Sequence, residues 1–315
     1  MVDVPVYVFT GFLESGKTQL LKQTILDEEF NDGARTLILC CEEGIEEYDK
    51  KTLKKANADI VYVQSFDELT ERNMVAWDNA YKPDQVMIEY NGTWSVTEFL
   101  NLSFPLDWLI VQLVATVDGS TFANYMNNMR SLMYEQLVHA ELIIINRIDA
   151  SLKKSFLRGN VKAINKSAQI VYEDIYGNVN SMIDDDLPFD KTTNELTISD
   201  DDYGLWFMDT TEHPFEYEGK TVHFKGRMYN TTQWEKPVVV IGRQAMVCCE
   251  QDTSLIGFVC EGIRKGIVTE EGMWANISAT VKVRRNEEQK LDYVVMNNVT
   301  VQPCEGLENE YVTFS

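Results

Sequence analysis

Gly11-Phe12-Leu13-Glu14-Ser15-Gly16-Lys17-Thr18 satisfies the pattern G-x-x-x-x-G-K-[ST]. The run before it, Val4-Pro5-Val6-Tyr7-Val8-Phe9, is short, apolar and rich in β-formers, and reads as a buried strand. The run from Thr18 to Leu26 carries apolar residues at helical spacing. Strand, glycine loop and helix form the setting in which this motif binds phosphate. The glycines let backbone N–H groups curl around phosphate oxygens, and the helix start adds its positive end. Gly11, Glu14, Ser15, Gly16 and Gln19 are the candidate cradle. Lys17 is placed to reach the β- and γ-phosphates, and Thr18 to ligate Mg²⁺.

Working outward, apolar runs at 36–41, 59–63, 85–89, 109–117, 141–146 and 169–172 read as strands. Helical periods at 66–81, 120–136 and 152–165 fall between several of them. This alternation predicts an α/β P-loop domain over residues 1–183, a parallel sheet with helices on both faces. The acidic stretches Asp184-Asp185-Asp186 and Asp200-Asp201-Asp202 then predict a solvated linker over 184–205. From Trp206 the helical periods disappear. Short β-rich runs at 220–229, 237–249, 254–260, 275–285 and 291–301 predict a small antiparallel barrel or sandwich over 206–315.

A P-loop alone does not choose the base. Asn146-Arg147-Ile148-Asp149, after the apolar strand Leu142-Ile143-Ile144-Ile145, narrows the choice. A carboxylate at Asp149 can accept two hydrogen bonds from guanine N1–H and N2–H₂, which adenine does not offer. The flat guanidinium of Arg147 could stack on the base. Asp149 would serve equally as a helix N-cap before Leu152. Glu89, ending the run Val86-Met87-Ile88, is a second candidate for Mg²⁺ and for catalysis, and the Gly92 N–H could approach a γ-phosphate.

Together these motifs resemble the CobW-like metallochaperone GTPases, relatives of UreG and HypB. Thr10 to Thr18 is similar to their Thr-Gly-Phe-Leu-Gly-x-Gly-Lys-Thr, and Glu89-Tyr90-Asn91-Gly92 to their Glu-x-x-Gly. Thr116-Val117-Asp118 resembles their Val-Val-Asp, Asn146–Asp149 their Asn-Lys-x-Asp, and Leu-Asn-Pro-x-Ala-x-Ile is echoed at 163–170. The resemblance covers about residues 4–180 and implies a GTP-hydrolysing switch that binds GTP or GDP with Mg²⁺ and handles Zn²⁺ or another thiophilic metal. It also implies a client metalloprotein and GTP-dependent homodimers. The family's usual Cys-x-Cys-Cys is missing, for no cysteine stands between Cys41 and Glu89. Cys40-Cys41-Glu42-Glu43-Gly44 occupies its Glu-Asn-Glu-Phe-Gly switch position. Candidate metal ligands are therefore Cys40, Cys41 and Glu42, besides Thr18 and Glu89. A pair of cysteines at a strand end reads equally well as two small buried apolar residues.

Cys248 and Cys249 form a second pair, inside Arg243-Gln244-Ala245-Met246-Val247-Cys248-Cys249-Glu250-Gln251-Asp252. That stretch resembles the C-terminal β-domain of bacterial putative permease-associated proteins over about 206–305, and implies a link to a membrane permease. The two thiols are candidate ligands or core residues.

Composition sets limits. The 315 residues are 44% hydrophobic with a formal net charge of -22. That charge opposes binding to nucleic acid or to anionic membrane. The longest apolar stretch, 108–117, is interrupted by Gln112 and is too short to insert in a bilayer. No basic segment followed by an apolar one opens the sequence, and six cysteines with two adjacent pairs fit thiols in the cytoplasm. A small-molecule P-loop kinase or ATPase, and a nucleotide-bound scaffold of weak activity, are the competing expectations.

Overall fold

The computed structural model describes residues 3–149, 152–180, 187–231, 238–249, 252–261, 263, 270–288 and 290–312. The chain divides into two compact units, Met1–Leu152 with Ile164–Ile183, and Lys153–Ala163 with Asp184–Ser315.

In the first unit the strands are β1 (Val4–Thr10), β2 (Thr36–Cys40), β3 (Ala58–Tyr62), β4 (Gln85–Glu89), β5 (Trp108–Asp118), β6 (Leu142–Ile148), β7 (Gln169–Asp174) and β8 (Val179–Asn180). Between them run α1 (Lys17–Leu26), α2 (Glu28–Asn31), α3 (Lys50–Lys55), α4 (Glu71–Tyr81), α5 (Val96–Leu100), α6 (Gly119–Asn128) and α7 (Arg130–Leu137). The sheet order is β3-β2-β4-β1-β5-β6-β7-β8. The first seven strands pair in parallel, and β8 adds to β7 antiparallel. This is the parallel, helix-covered sheet the sequence predicts. Every residue of β2 and β4 is buried, as strands covered on both faces require. Leu21 and Ile25 of α1, one turn apart, pack with Phe9, Ile38, Cys40, Tyr48, Met87 and Val114. β1 lies between β4 and β5, so the P-loop leaves the carboxyl end of a central strand, where open α/β sheets bind ligands.

The single helical period read over 120–136 is broken in two at Met129, whose ψ of 37° leaves the helical region. Asp118 caps α6 by accepting from the Ser120 N–H at 2.9 Å.

In the second unit α8 (Lys154–Ile164) contributes Ala163 to the apolar core and pairs Arg158 with Glu212. Two features differ from the sequence expectation. Within the acidic stretch, Glu195–Thr197 forms β9, parallel to β10 (Thr221–Thr231). After it come α9 (Tyr203–Glu212) and α10 (Pro214–Tyr217), where only strands were expected. The buried face of α9 is Tyr203, Leu205, Trp206, Asp209 and Thr210, too continuous for helical periodicity to reveal.

The remaining strands are β11 (Val238–Cys249), β12 (Asp252–Cys260), β13 (Trp274–Asn286), β14 (Leu291–Pro303) and β15 (Tyr311–Val312). Their order is β11-β12-β14-β13-β10, and an additional β10–β11 pairing closes a five-stranded barrel. Only the β12–β14 contact within the barrel is parallel. Trp206, Phe224, Ile241, Phe258, Ile277 and Met296 belong to its core. Gly242 and Gly257 face each other across β11 and β12. A Cβ on Gly242 would come within 2.5 Å of Ile256 O and 2.8 Å of Gly257 Cα. Gly242→Ala is expected to cost about 1–3 kcal/mol by overpacking. The check is a lowered melting transition for the second unit, with that of the first unit in place.

Candidate nucleotide and metal site

The loop between β1 and α1 is shaped by backbone positions that a side chain would obstruct. Gly16 has φ +101°, and a Cβ there would stand 2.6 Å from Asn146 Nδ2. Gly16 also precedes α1 as its cap with no side-chain hydrogen bond, so the first N–H groups of the helix face the loop. Two other strands lock the loop. Ser15 Oγ and Thr116 Oγ1 are 2.7 Å apart, and Asn146 Nδ2 donates to Ser15 O at 2.7 Å. Gln136 of α7, which the sequence did not flag, accepts from the Gly11 N–H at 3.1 Å. A glutamine in an amphipathic helix carries no local signal for such a role.

Lys17 is buried, with 3% of its side chain exposed. Its ammonium donates to Gly11 O at 2.7 Å and Phe12 O at 2.9 Å, and lies 2.5 Å from Glu42 Oε2. Thr18 Oγ1 donates to Glu89 Oε1 at 2.5 Å, so the two candidate Mg²⁺ ligands are neighbours. Tyr48 donates its hydroxyl hydrogen to the other carboxylate oxygen of Glu89. Burial holds the Glu89 carboxyl above its ordinary range, while the Thr18 and Tyr48 hydrogen bonds and the charge of Lys17 pull the other way. A hydroxyl and a carboxylate set side by side suit a hard cation such as Mg²⁺.

A cavity of about 330 Å³ opens beyond Gly16, lined by Gln19, Asn146, Arg147, Glu173, Asp174 and Tyr176 among others. The end of β7, with Glu173 and Asp174, and the turn after it, with Tyr176, are contributors that no motif announced. Among the described residues, Asn146 Oδ1 is buried with no hydrogen-bond partner. Arg147 departs from the stacking expectation. Its φ of +53° aims the guanidinium back at the loop, where it donates to Glu14 O at 2.8 Å and pairs with Asp118 at 2.5 Å. Asp149 directly follows β6, and is not among the cavity's lining residues. Glu14, Gly16, Lys17, Thr18, Gln19, Glu42, Glu89 and Arg147 line a second cavity of about 140 Å³. Gly16, Gln19 and Arg147 border both cavities.

With the loop, the Thr18–Glu89 pair and the adjoining cavity in place, the comparisons are decisive for the family. Residues 5–172 match the profile described as CobW/HypB/UreG, nucleotide-binding domain. The chain belongs to the CobW/HypB/UreG family. Residues 177–313 match a second profile, the DUF1980 C-terminal domain. A curated relative, "Zinc-regulated GTPase metalloprotein activator 1" of Schizosaccharomyces pombe, is 26% identical over 215 residues, 62% of this chain and 51% of the relative. The chain thus spans about half the length of that relative. Among solved structures, the hydrogenase maturation factor HypB of Archaeoglobus fulgidus is 19% identical, with a TM-score of 0.40 over 55% of this chain and 82% of its own. A Zn(II)-bound triple mutant of the YjiA GTPase is 14% identical, with a TM-score of 0.44 over 82% of this chain and 89% of its own. The CobW/HypB/UreG family is one of P-loop GTPases.

Cys40 and Cys41 are both buried. Cys40 is part of the core beside Phe9 and Ile38, and its Sγ donates to Glu42 O at 3.1 Å. Burial, aided by the charge of Glu89, pushes the Cys40 thiol up to about 12. Burial and the neighbouring Cys40 raise Cys41 as well. Among the described residues, no group of three or more His, Cys, Asp or Glu is arranged to hold a metal ion. The backbone of Cys248 and Cys249 ends β11, while their side chains lie outside the described residues. No helix among the described residues is long and apolar enough to cross a membrane. Thiols so strongly raised stay protonated at neutral pH, and the thiolate is the nucleophile. Iodoacetamide at pH 8 is therefore expected to modify Cys40 and Cys41 only after denaturation, as peptide mass mapping would read.

Proposed function

We propose that this protein is a GTP-hydrolysing switch that couples its nucleotide state to metal handling, and that its barrel docks a client metalloprotein or a membrane permease. The observation that carries the reading is the meeting of Lys17, Thr18 and Glu89 beside a polar cavity bordered by Asn146. Lys17 would hold phosphate charge within a loop whose shape is fixed from β5, β6 and α7. Asn146 and Asp149 would read the guanine edge, and Tyr176, 83% exposed beside the cavity, offers a face for the base. Thr18 and Glu89 would hold Mg²⁺, which when bound neutralises charge on the phosphates. Phosphoryl transfer to water asks the protein mainly for positioning and charge stabilisation, and the site is built from such groups.

Zinc enters through the relative, whose name describes it as zinc-regulated. A thiophilic ion taken by Cys40 and Cys41 would require both thiols to lose their protons and their burial, so metal capture would accompany movement of the 41–48 segment. GTP-dependent homodimers and a cytoplasmic location complete the reading.

GTP turnover by purified protein, with ATP as competitor, tests the class. Turnover inhibited by ATP as strongly as by GDP would point to a kinase or ATPase. Lys17→Ala is expected to cut GTP turnover at least about 100-fold, since it removes a charge that stabilises the transferred group. A wild-type rate in that variant would show that Lys17 is not in the site.

Asp149→Asn puts a donor where guanine presents N–H groups. Leaving such a group unpaired costs about 1–3 kcal/mol. GTP affinity should fall by the corresponding factor and xanthosine triphosphate should gain, measured by titration calorimetry. Unchanged GTP affinity would show that Asp149 does not contact the base.

A further inference from the structure

An ammonium group has three protons to donate. Those of Lys17 are all engaged, by Gly11 O, Phe12 O and the Glu42 carboxylate. The two carbonyls belong to the loop itself. Glu42 belongs to the 41–48 segment, which is neither helix nor strand. Its other oxygen, Oε1, accepts from the Gly92 N–H at 3.3 Å. One carboxylate therefore holds both Lys17 and Gly92, the two donors that a γ-phosphate would take. Its side chain is 10% exposed, so the pair with Lys17 is buried. A carboxylate and a terminal phosphate present the same sign of charge and the same kind of acceptor, and the two cannot share those donors.

We propose that Glu42 is a built-in occupant of the γ-phosphate position: GTP takes both of its donors and expels it, whereas GDP, whose β-phosphate reaches Lys17 alone, leaves it held by the Gly92 N–H. This rests on the nucleotide reading above. Gly92 lines neither of the two cavities, while its N–H reaches Glu42. A diphosphate brings no γ-phosphate to take the Gly92 N–H, so Glu42 keeps that donor.

Displacing Glu42 has consequences along its segment. The Ile45 N–H donates to Glu14 Oε1 at 2.9 Å, and Asn91 Nδ2 donates to Cys41 O at 3.2 Å. Lys22 pairs with Glu46 at 3.2 Å, and Tyr48 reaches Glu89. These contacts tie the segment to the P-loop, to α1 and to the end of β4. Glu42 is the member that competes directly with a third phosphate, so its release is the step by which a nucleotide would move the rest. The coupling is reciprocal: whatever holds Glu42 in place weakens GTP relative to GDP.

Two measurements test this. Fluorescent GDP and a non-hydrolysable GTP analogue are titrated, with Mg²⁺ and fixed salt, into wild type and Glu42→Gln. The amide keeps the size and one acceptor but removes the competing charge. The preference for the GTP analogue over GDP should rise at least ten-fold. Separately, a Glu-specific protease is applied to the wild-type protein with each nucleotide. Cleavage within 42–47 should be faster with the GTP analogue than with GDP. An unchanged preference in Glu42→Gln, a preference shifted toward GDP, or equal cleavage under both nucleotides would each overturn the proposal. The protease arm uses native protein and stands even if Glu42→Gln is unstable. Wild type that binds neither nucleotide would be a different result, removing the nucleotide reading itself.

Discussion

A buried ammonium governs the nucleotide end of the first unit. Lys17 lies at the start of α1, close-packed beneath a loop that can exist only because Gly16 takes a left-handed backbone. A buried cation must be paired and fully hydrogen-bonded, or it costs several kcal/mol. Each of its partners is therefore constrained in turn. The two loop carbonyls must point inward, which requires the loop to be clamped by Thr116, Gln136 and Asn146 from three other elements. The third partner must be an anion, and in this structure it is Glu42.

The same requirement joins the metal and switch positions. Glu89 sits within reach of Lys17's charge, of Thr18 and of Tyr48, so one carboxylate ties β4 to α1 and to the segment after β2. Cys40 and Tyr48 pack in the core with Leu21 and Ile25. The segment between them is thus anchored at both ends while its middle rests on polar contacts, with Ile45 86% exposed. Such a segment, fixed at its ends and held between them by charged and polar contacts, is suited to respond to a ligand that competes for those contacts.

The second unit solves a separate problem. Five strands close on themselves, with β12 and β14 meeting over a short parallel contact. Its interior is filled by aromatic residues from α9 as well as from strands, with Trp206 within 5.0 Å of both Phe224 and Phe258, centroid to centroid. Arg243, 2% exposed, is held by Asp200 and Lys225 O and lies over the Tyr203 ring, so the acidic stretch is bound into the barrel by charge. The run Asp200-Asp201-Asp202 reads as solvated linker because sequence shows the charges and not the buried arginine they meet.

Much of the protein was decided locally. The P-loop, the alternation of apolar strands with helices, and the switch to short strands after the acidic stretch follow from period and turn chemistry. Those properties act over a few residues and survive in the folded state. The parallel sheet and the barrel, and the family through its ordered motifs, were accordingly legible. What sequence left open depends on residues brought together over long separations. Gln136 meets Gly11 across 125 positions, Arg147 reaches back to Glu14 O, and Glu42 takes the donors of Lys17 and Gly92. The cysteine pair shows the same division. Its residue type suits a metal, but burial among apolar neighbours and the nearby Glu89 charge keep the Cys40 thiol protonated, and burial is a property only of the tertiary structure.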